Sequence, residues 1–209
     1  MLVRALLAML ALCALVGAAL VFEAASKTAN ALEMIASARA SQSAVVQSQI
    51  LLRAQTSLRQ SWARPTLWHA GAAEALSGVY MLDAEIESDP QLYAESARWA
   101  EVSLRRAPVQ PHAWTRLALL SEAGYPNALC DTAECLTKSW QVAAITDPET
   151  DCVRLQLAHR LHLLLPQDAR LSTYLHSGVS RRQAAQCLSF LEPEALYEAL
   201  MDGARPAAQ

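Results

Sequence analysis

ARWAEVSLRRAPVQPHAWTRLALL, residues 97–120, reads as the tail of one helix, a turn marked by proline, and the head of a second helix. Ala97 to Arg106 holds neither Gly nor Pro, and Arg105 and Arg106 place positive charge where a helix C-terminus favours it. Pro108 interrupts the pattern, and Pro111 suits the first turn of the next helix, where its missing N–H costs nothing. Leu104, Ala113, Trp114, Leu117 and Ala118 then supply apolar positions at helical spacing on the two sides of the turn. The stretch is therefore a helix–turn–helix junction, and the chain around it is expected to repeat that construction.

Composition agrees. Apolar residues make up 53% of the 209, mostly Ala and Leu, and Gly is scarce, a balance that favours helix over sheet. Seventeen Lys and Arg against twenty Asp and Glu give a net charge of -3, with no basic stripe, so nucleic acid is not an expected partner. Arg outnumbers Lys and Ala is abundant, the composition of a GC-rich bacterial genome.

At the N-terminus, residues 5–22 (ALLAMLALCALVGAALVF) carry no charge. Eighteen residues at ~1.5 Å rise cover ~27 Å, close to the ~30 Å hydrocarbon core. Arg4 precedes the run and Glu23 ends it, which by the positive-inside rule leaves the short N-terminus in the cytoplasm and exports the rest. A cleaved signal peptide is the rival reading, with small-residue sites at Val16-Gly17-Ala18 and Ala29-Asn30-Ala31. The thin n-region and the long apolar run favour a retained anchor. Residues 23–64 are rich in Ala, Ser and Gln and lack both Gly and Pro; Leu32, Ile35, Val45, Val46, Leu52 and Leu58 recur near helical spacing. They are expected to form one long amphipathic helix, a stalk whose apolar stripe packs on the body behind it. An oligomerisation seam is the alternative, disfavoured because the stripe keeps no clean heptad.

Beyond Pro65 the prolines punctuate the helices. Expected spans are 66–86, 91–106, 111–124, 131–145 and 148–165, followed by shorter helices at 167–176, 180–190 and 193–201 and a frayed tail at 204–209. A second junction repeats the first: Trp140, Ala143 and Pro148 are followed by Leu157-Ala158, and Pro108 to Pro148 is forty residues.

These two junctions, Leu104, Pro108, Trp114, Leu117 and Ala118 and then Trp140, Ala143 and Pro148, resemble those of tetratricopeptide helical hairpins, whose usual period is about 34 residues. Ser103 and Ser121 depart from the pattern, and the surplus length falls in the loop holding Cys130 and Cys135. The expected fold is thus all-α: an N-terminal transmembrane helix (1–22), a helical stalk (23–64) and a short tetratricopeptide-like helical-hairpin solenoid (65–203), with stalk and C-terminal helices as caps. The layout also looks like small membrane-anchored tetratricopeptide-like proteins associated with bacterial exopolysaccharide synthesis and export.

Cys13 lies in the apolar run and reads as a packing residue. Cys130, Cys135, Cys152 and Cys187 are an even number in the exported part, which points to two disulfides with three pairings open. A Cys130–Cys135 bridge needs an unwound segment after Pro126, because five residues of helix hold Cα atoms ~8 Å apart. That pairing is preferred, leaving Cys152 to Cys187. A zinc site is disfavoured by the spacing. His159 and His162 are read as a surface pair, not a metal site. Asp147, Glu149 and Asp151 are read as charges favouring a helix N-terminus. Arg105, Arg106, Arg181 and Arg182 are further candidates for an anionic ligand. No catalytic, cofactor-binding or metal-binding residue is assigned. The function expected is a non-enzymatic scaffold, single-pass in a bacterial inner membrane with its C-terminal part in the periplasm, without cofactor, binding another envelope protein through a hairpin groove. Oligomerisation would run through the stalk. The alternative is an envelope glycan-acting hydrolase or a glycan-binding protein.

Overall fold

α1 runs unbroken from Leu2 to Ala40, through the apolar run and well past it. The computed structural model of the chain describes residues 2–63, 69–163, 169–177 and 179–191, all helix and connecting turns, with no strand among them. Two compact units divide at the turn after residue 106: Met1–Pro108 and Val109–Gln209.

In the first unit, α1 changes character along its length. Leu10, Leu12 and Leu15 lie exposed, whereas Ala24, Ala31 and Ala38 are buried at seven-residue intervals. Small side chains in this row let a second helix approach closely. That helix is α2, Ala44–Trp62, and it presents Leu51, Ala54, Gln55, Leu58 and Ser61 to the seam. Ser61 Oγ donates to Ala24 O (3.1 Å) and Ser57 Oγ to Lys27 O (3.3 Å), so α2 runs antiparallel to α1.

The expected single stalk helix is therefore a hairpin. The chain reverses at Ser41-Gln42-Ser43, where Ser43 is the N-cap of α2 in an extended conformation. Gln47 Nε2 donates to Ser41 O at 2.6 Å and closes the reversal. Burying the Ala row against α2 outweighs the helical continuity that the sequence would permit.

α3 (His69–Glu87) and α4 (Pro90–Arg106) form the next hairpin. Ser88 takes a positive φ at its turn, and the Asp89 side chain accepts from Gln91 N–H at the head of α4. Ser77 and Ser96 exchange hydroxyl–carbonyl hydrogen bonds of 2.8 Å, and Ser103 Oγ donates to Ala70 O, fixing the antiparallel register. Ala31, Leu51, Leu58, Leu76, Val79 and Tyr80 meet in one core, with Trp99 partly buried against it.

The second unit holds α5 (Pro111–Glu122), α6 (Thr132–Val142), α7 (Pro148–Arg160), α8 (Ala169–Leu175) and α9 (Arg181–Cys187). α5 and α6 are antiparallel. α7 instead runs parallel to α5: His112 meets Thr150, Thr115 meets Arg154 and Glu122 meets Arg160, at sequence separations of 38, 39 and 38. Leu155, Leu171, Tyr174, Ala184, Cys187 and Leu188 form a separate small core.

Three helices stop clearly short of their expected ends, α9 among them at Cys187 where 190 was expected. α6 ends at Val142, not Ile145, because Ala143 turns extended and its carbonyl accepts from Arg154. α7 ends at Arg160, not Leu165: His162 enters the left-handed region (φ 56°) and Leu163 N–H reaches back to Ala158 O at 2.8 Å, a Schellman-type stop made without glycine. The helix expected at 193–201 and the tail lie outside the described residues.

Candidate interaction groove and buried charge network

Side chains of α1 and α2 leave an open groove of about 400 Å³ on their outer side, lined by Asn30, Glu33, Met34, Ser37, Ile50 and Arg53. Met34 and Ile50 are its apolar floor and pack partly on the core beneath. The polar side chains carry both signs of charge. Leu32, Val45, Val46 and Leu52 are exposed on the same two helices, more apolar surface than these positions need for folding. A shallow floor with mixed polar edges suits a peptide segment better than a small molecule, which would need deeper enclosure.

Between α2 and α3, Gln55 Nε2 donates to Asp83 Oδ2 at 2.9 Å while Asp83 Oδ1 is buried without a hydrogen-bond partner. Burial pushes this carboxyl above its ordinary range; Gln55 opposes the shift, and Glu87 and Asp89 reinforce it. The Gln55–Asp83 hydrogen bond links α2 to α3.

The second unit is organised on a residue that sequence reasoning missed. Arg154 is 0% exposed. Its Nε donates to Thr115 Oγ1, Nη1 to Ala143 O and Asp151 Oδ1, and Nη2 to Ser139 O, all within 3.0–3.2 Å. Asp151 in turn accepts from Thr146 N–H and from the Thr146 hydroxyl, the latter at 2.6 Å. Burial lowers the guanidinium's pKa from the ordinary arginine value and Asp151 works in the opposite direction. The arrangement ties α5, α6, the 143–147 loop and α7 together. Both charged side chains are closed off from bulk solvent. The one signal in the sequence was the Asp151/Arg154 spacing of three on a helix.

The other acidic positions divide by role. Asp147 caps α7, accepting from Thr150 N–H at 2.9 Å. Burial raises its pKa, but the bonds from Thr150 and the nearby His112 outweigh that and hold it below the ordinary value. Glu149 stays exposed in the first turn. Asp151 stands in the first turn of α7 as expected and is in addition buried, paired with Arg154.

Trp114 is 7% exposed, Leu117 and Ala118 are fully buried, and Leu104 is buried in α4 of the first unit. Lys138 Nζ lies 5.0 Å from the Trp114 ring. Pro108 is exposed in the turn, Pro148 begins α7, and Ala143 is the C-cap of α6. Trp140 is half-buried under the Arg170 guanidinium, beside a void of about 10 Å³ that has room for little more than one water.

Cys130 and Cys135 stand at disulfide distance (Cα–Cα 5.4 Å), as do Cys152 and Cys187 (5.5 Å). Cys130 is in the non-helical segment before α6, held by Asn127, whose Oδ1 accepts from Leu129 and Cys130 N–H. Cys13 is exposed on α1. His159 stacks on Phe190 at 4.4 Å, while His162 sits past the helix end, so the two histidines do not share a helical face. Among the described residues, no three His, Cys, Asp or Glu side chains converge as a metal ion would require. Arg105 pairs with Glu101 at 2.9 Å, Arg106 lies over the Trp62 ring, and Arg182 is exposed. α1 is long and apolar enough to cross a membrane, a property that a signal sequence shares.

No family model, no curated protein and no solved structure matches the chain.

Proposed function

We propose that the chain is a membrane-anchored adaptor of the bacterial cell envelope, single-pass in the inner membrane, whose exported helical hairpins bind a segment of another envelope protein. The observation that carries this reading is the continuity of α1: one helix holds the apolar run and one wall of the groove. Helical rise sets Asn30 to Ser37 roughly 10–20 Å beyond Glu23, the distance at which a juxtamembrane partner is met. The two cysteine pairs suit an oxidising compartment. The parallel α5 and α7, displaced by 38–39 residues with α6 between them, support the tetratricopeptide-like reading of the hairpins. The sequence resemblance further proposes a polysaccharide synthesis or export component as the partner.

The test is site-specific photocross-linking of the full-length protein in its native membranes, with the probe at Arg53 or Ser37 in the groove and at Thr137 on the exposed side of α6. Adaptor function predicts a discrete heavier adduct from the first two positions, absent from Thr137. Adducts of equal yield from all three positions, or none from the groove, would contradict it.

A further inference from the structure

The end of the first unit that abuts the apolar run carries an aromatic cluster, with Trp99 packed on the core and Trp62 against it. Residues 9–19 of α1 are all exposed, and Leu20 and Val21 that follow are partly covered. The Ser61–Ala24 hydrogen bond brings the C-terminal end of α2, where Trp62 stands, to this level of α1. There the Trp62 ring meets Trp99 edge-on at 5.4 Å, and the exposed Arg106 places its guanidinium 4.7 Å from the Trp62 centroid. Lys27 pairs with Glu23 at the same height on α1. Two half-buried indoles and a cation thus cluster at the end of α2 that is bonded to α1 next to its apolar run.

That composition is chemically specific. Indole rings partition to the boundary between hydrocarbon and headgroup, and arginine beside them meets lipid phosphate while its stem lies on apolar surface. In a protein standing free in water, a half-exposed Trp under an exposed Arg contributes a modest cation–π contact. At a bilayer surface the same pair has an apolar side and an anionic side to satisfy, and both are present.

We infer that this face is a lipid-seating surface: Trp62 enters the interfacial layer of the outer leaflet, Arg106 engages phospholipid phosphate, and Trp99 backs them from the core. The inference rests on the anchor reading of α1. It extends that reading from a tethered domain to one pressed against the bilayer with a fixed orientation, which holds the α1–α2 groove at a set height.

The experiment uses the full-length protein reconstituted in vesicles of phosphatidylethanolamine and phosphatidylglycerol containing lipids brominated near the headgroup or near the chain end. In one variant Trp62 is the sole tryptophan; in a second, Trp114 is, the others being replaced by Phe in each. Circular dichroism matching the parent establishes folding of both. Seating predicts roughly twofold loss of Trp62 emission with shallow bromine, little with deep bromine, and none for Trp114. Arg106→Gln in the Trp62 variant should weaken the shallow quenching. Unquenched Trp62 in a chain that resists carbonate extraction would overturn the seating and leave the anchor intact. Release of the chain by carbonate would overturn both.

Discussion

Arg154 Nη1 lies 3.0 Å from Asp151 Oδ1, one turn earlier on the same helix, and neither side chain reaches solvent appreciably. A pair so placed contributes mainly by satisfying its neighbours. The guanidinium donates to the Ala143 and Ser139 carbonyls and to the Thr115 hydroxyl, the last two of which also bond to Ala143 N–H and to Ser139 Oγ, so one network joins α5, α6 and α7. Arg154→Ala should therefore leave Asp151 as an uncompensated buried charge and cost about 3–5 kcal/mol. The double change Arg154→Met with Asp151→Leu should cost less than Arg154→Ala alone. Urea unfolding of the full chain in detergent, followed by near-UV circular dichroism, checks both; a double change costing more than the single one would contradict the account.

Trp114 and Trp62 separate packing from surface. Trp114→Ala empties a site that is 7% exposed and should cost ~3–5 kcal/mol. Trp62 is only half-buried, and its loss should cost clearly less in detergent. Thermal unfolding of each variant gives the comparison, and equal small shifts would mean the hairpin register around Trp114 is wrong.

Asp83 should make the first unit sensitive to pH. Its folded pKa is raised, chiefly by burial, so the folded state holds the proton more tightly than the unfolded chain. The contribution is complete below the ordinary aspartate range and is lost as pH rises through the folded pKa. Asp83→Asn should flatten this dependence and raise the melting temperature at neutral pH. Melting curves across the acid to neutral range, with no difference between parent and variant, would remove the buried carboxylate from the account.

The two cysteine pairs differ in the loop each closes. Separations of 5 and 35 residues correspond in the chain-entropy picture to about 2 and about 4 kcal/mol, so Cys152→Ser with Cys187→Ser should be the more damaging change. Melting with and without reductant, alongside non-reducing peptide maps, measures it. Four alkylatable thiols in native envelope protein would refute the oxidised state.

Much of this architecture can be read from residues with local effects. Asp89-Pro90, Asp147-Pro148 and Ser180 mark helix starts because each places a side-chain acceptor before exposed N–H groups. What could not be read depends on distant partners. The reversal at 41–43 has neither Gly nor Pro and is driven by the Ala24, Ala31, Ala38 row, invisible in a chain where Ala is everywhere. The ends of α6 and α7 depend on Arg154 drawing in a carbonyl and on His162 accepting a left-handed conformation that glycine usually takes. The groove is made by side chains of two helices that only the hairpin brings together, and no motif encodes that.

The central claim is that α1 is retained as the anchor from which the hairpins stand, and the most direct test is the mature N-terminus measured together with membrane extraction. Intact mass of the native protein should include residues 1–22, and the chain should stay in the pellet after alkaline carbonate. A mature chain beginning beyond Leu15 and recovered in the soluble fraction would show that the apolar run is a removed signal, and the anchored adaptor would be wrong.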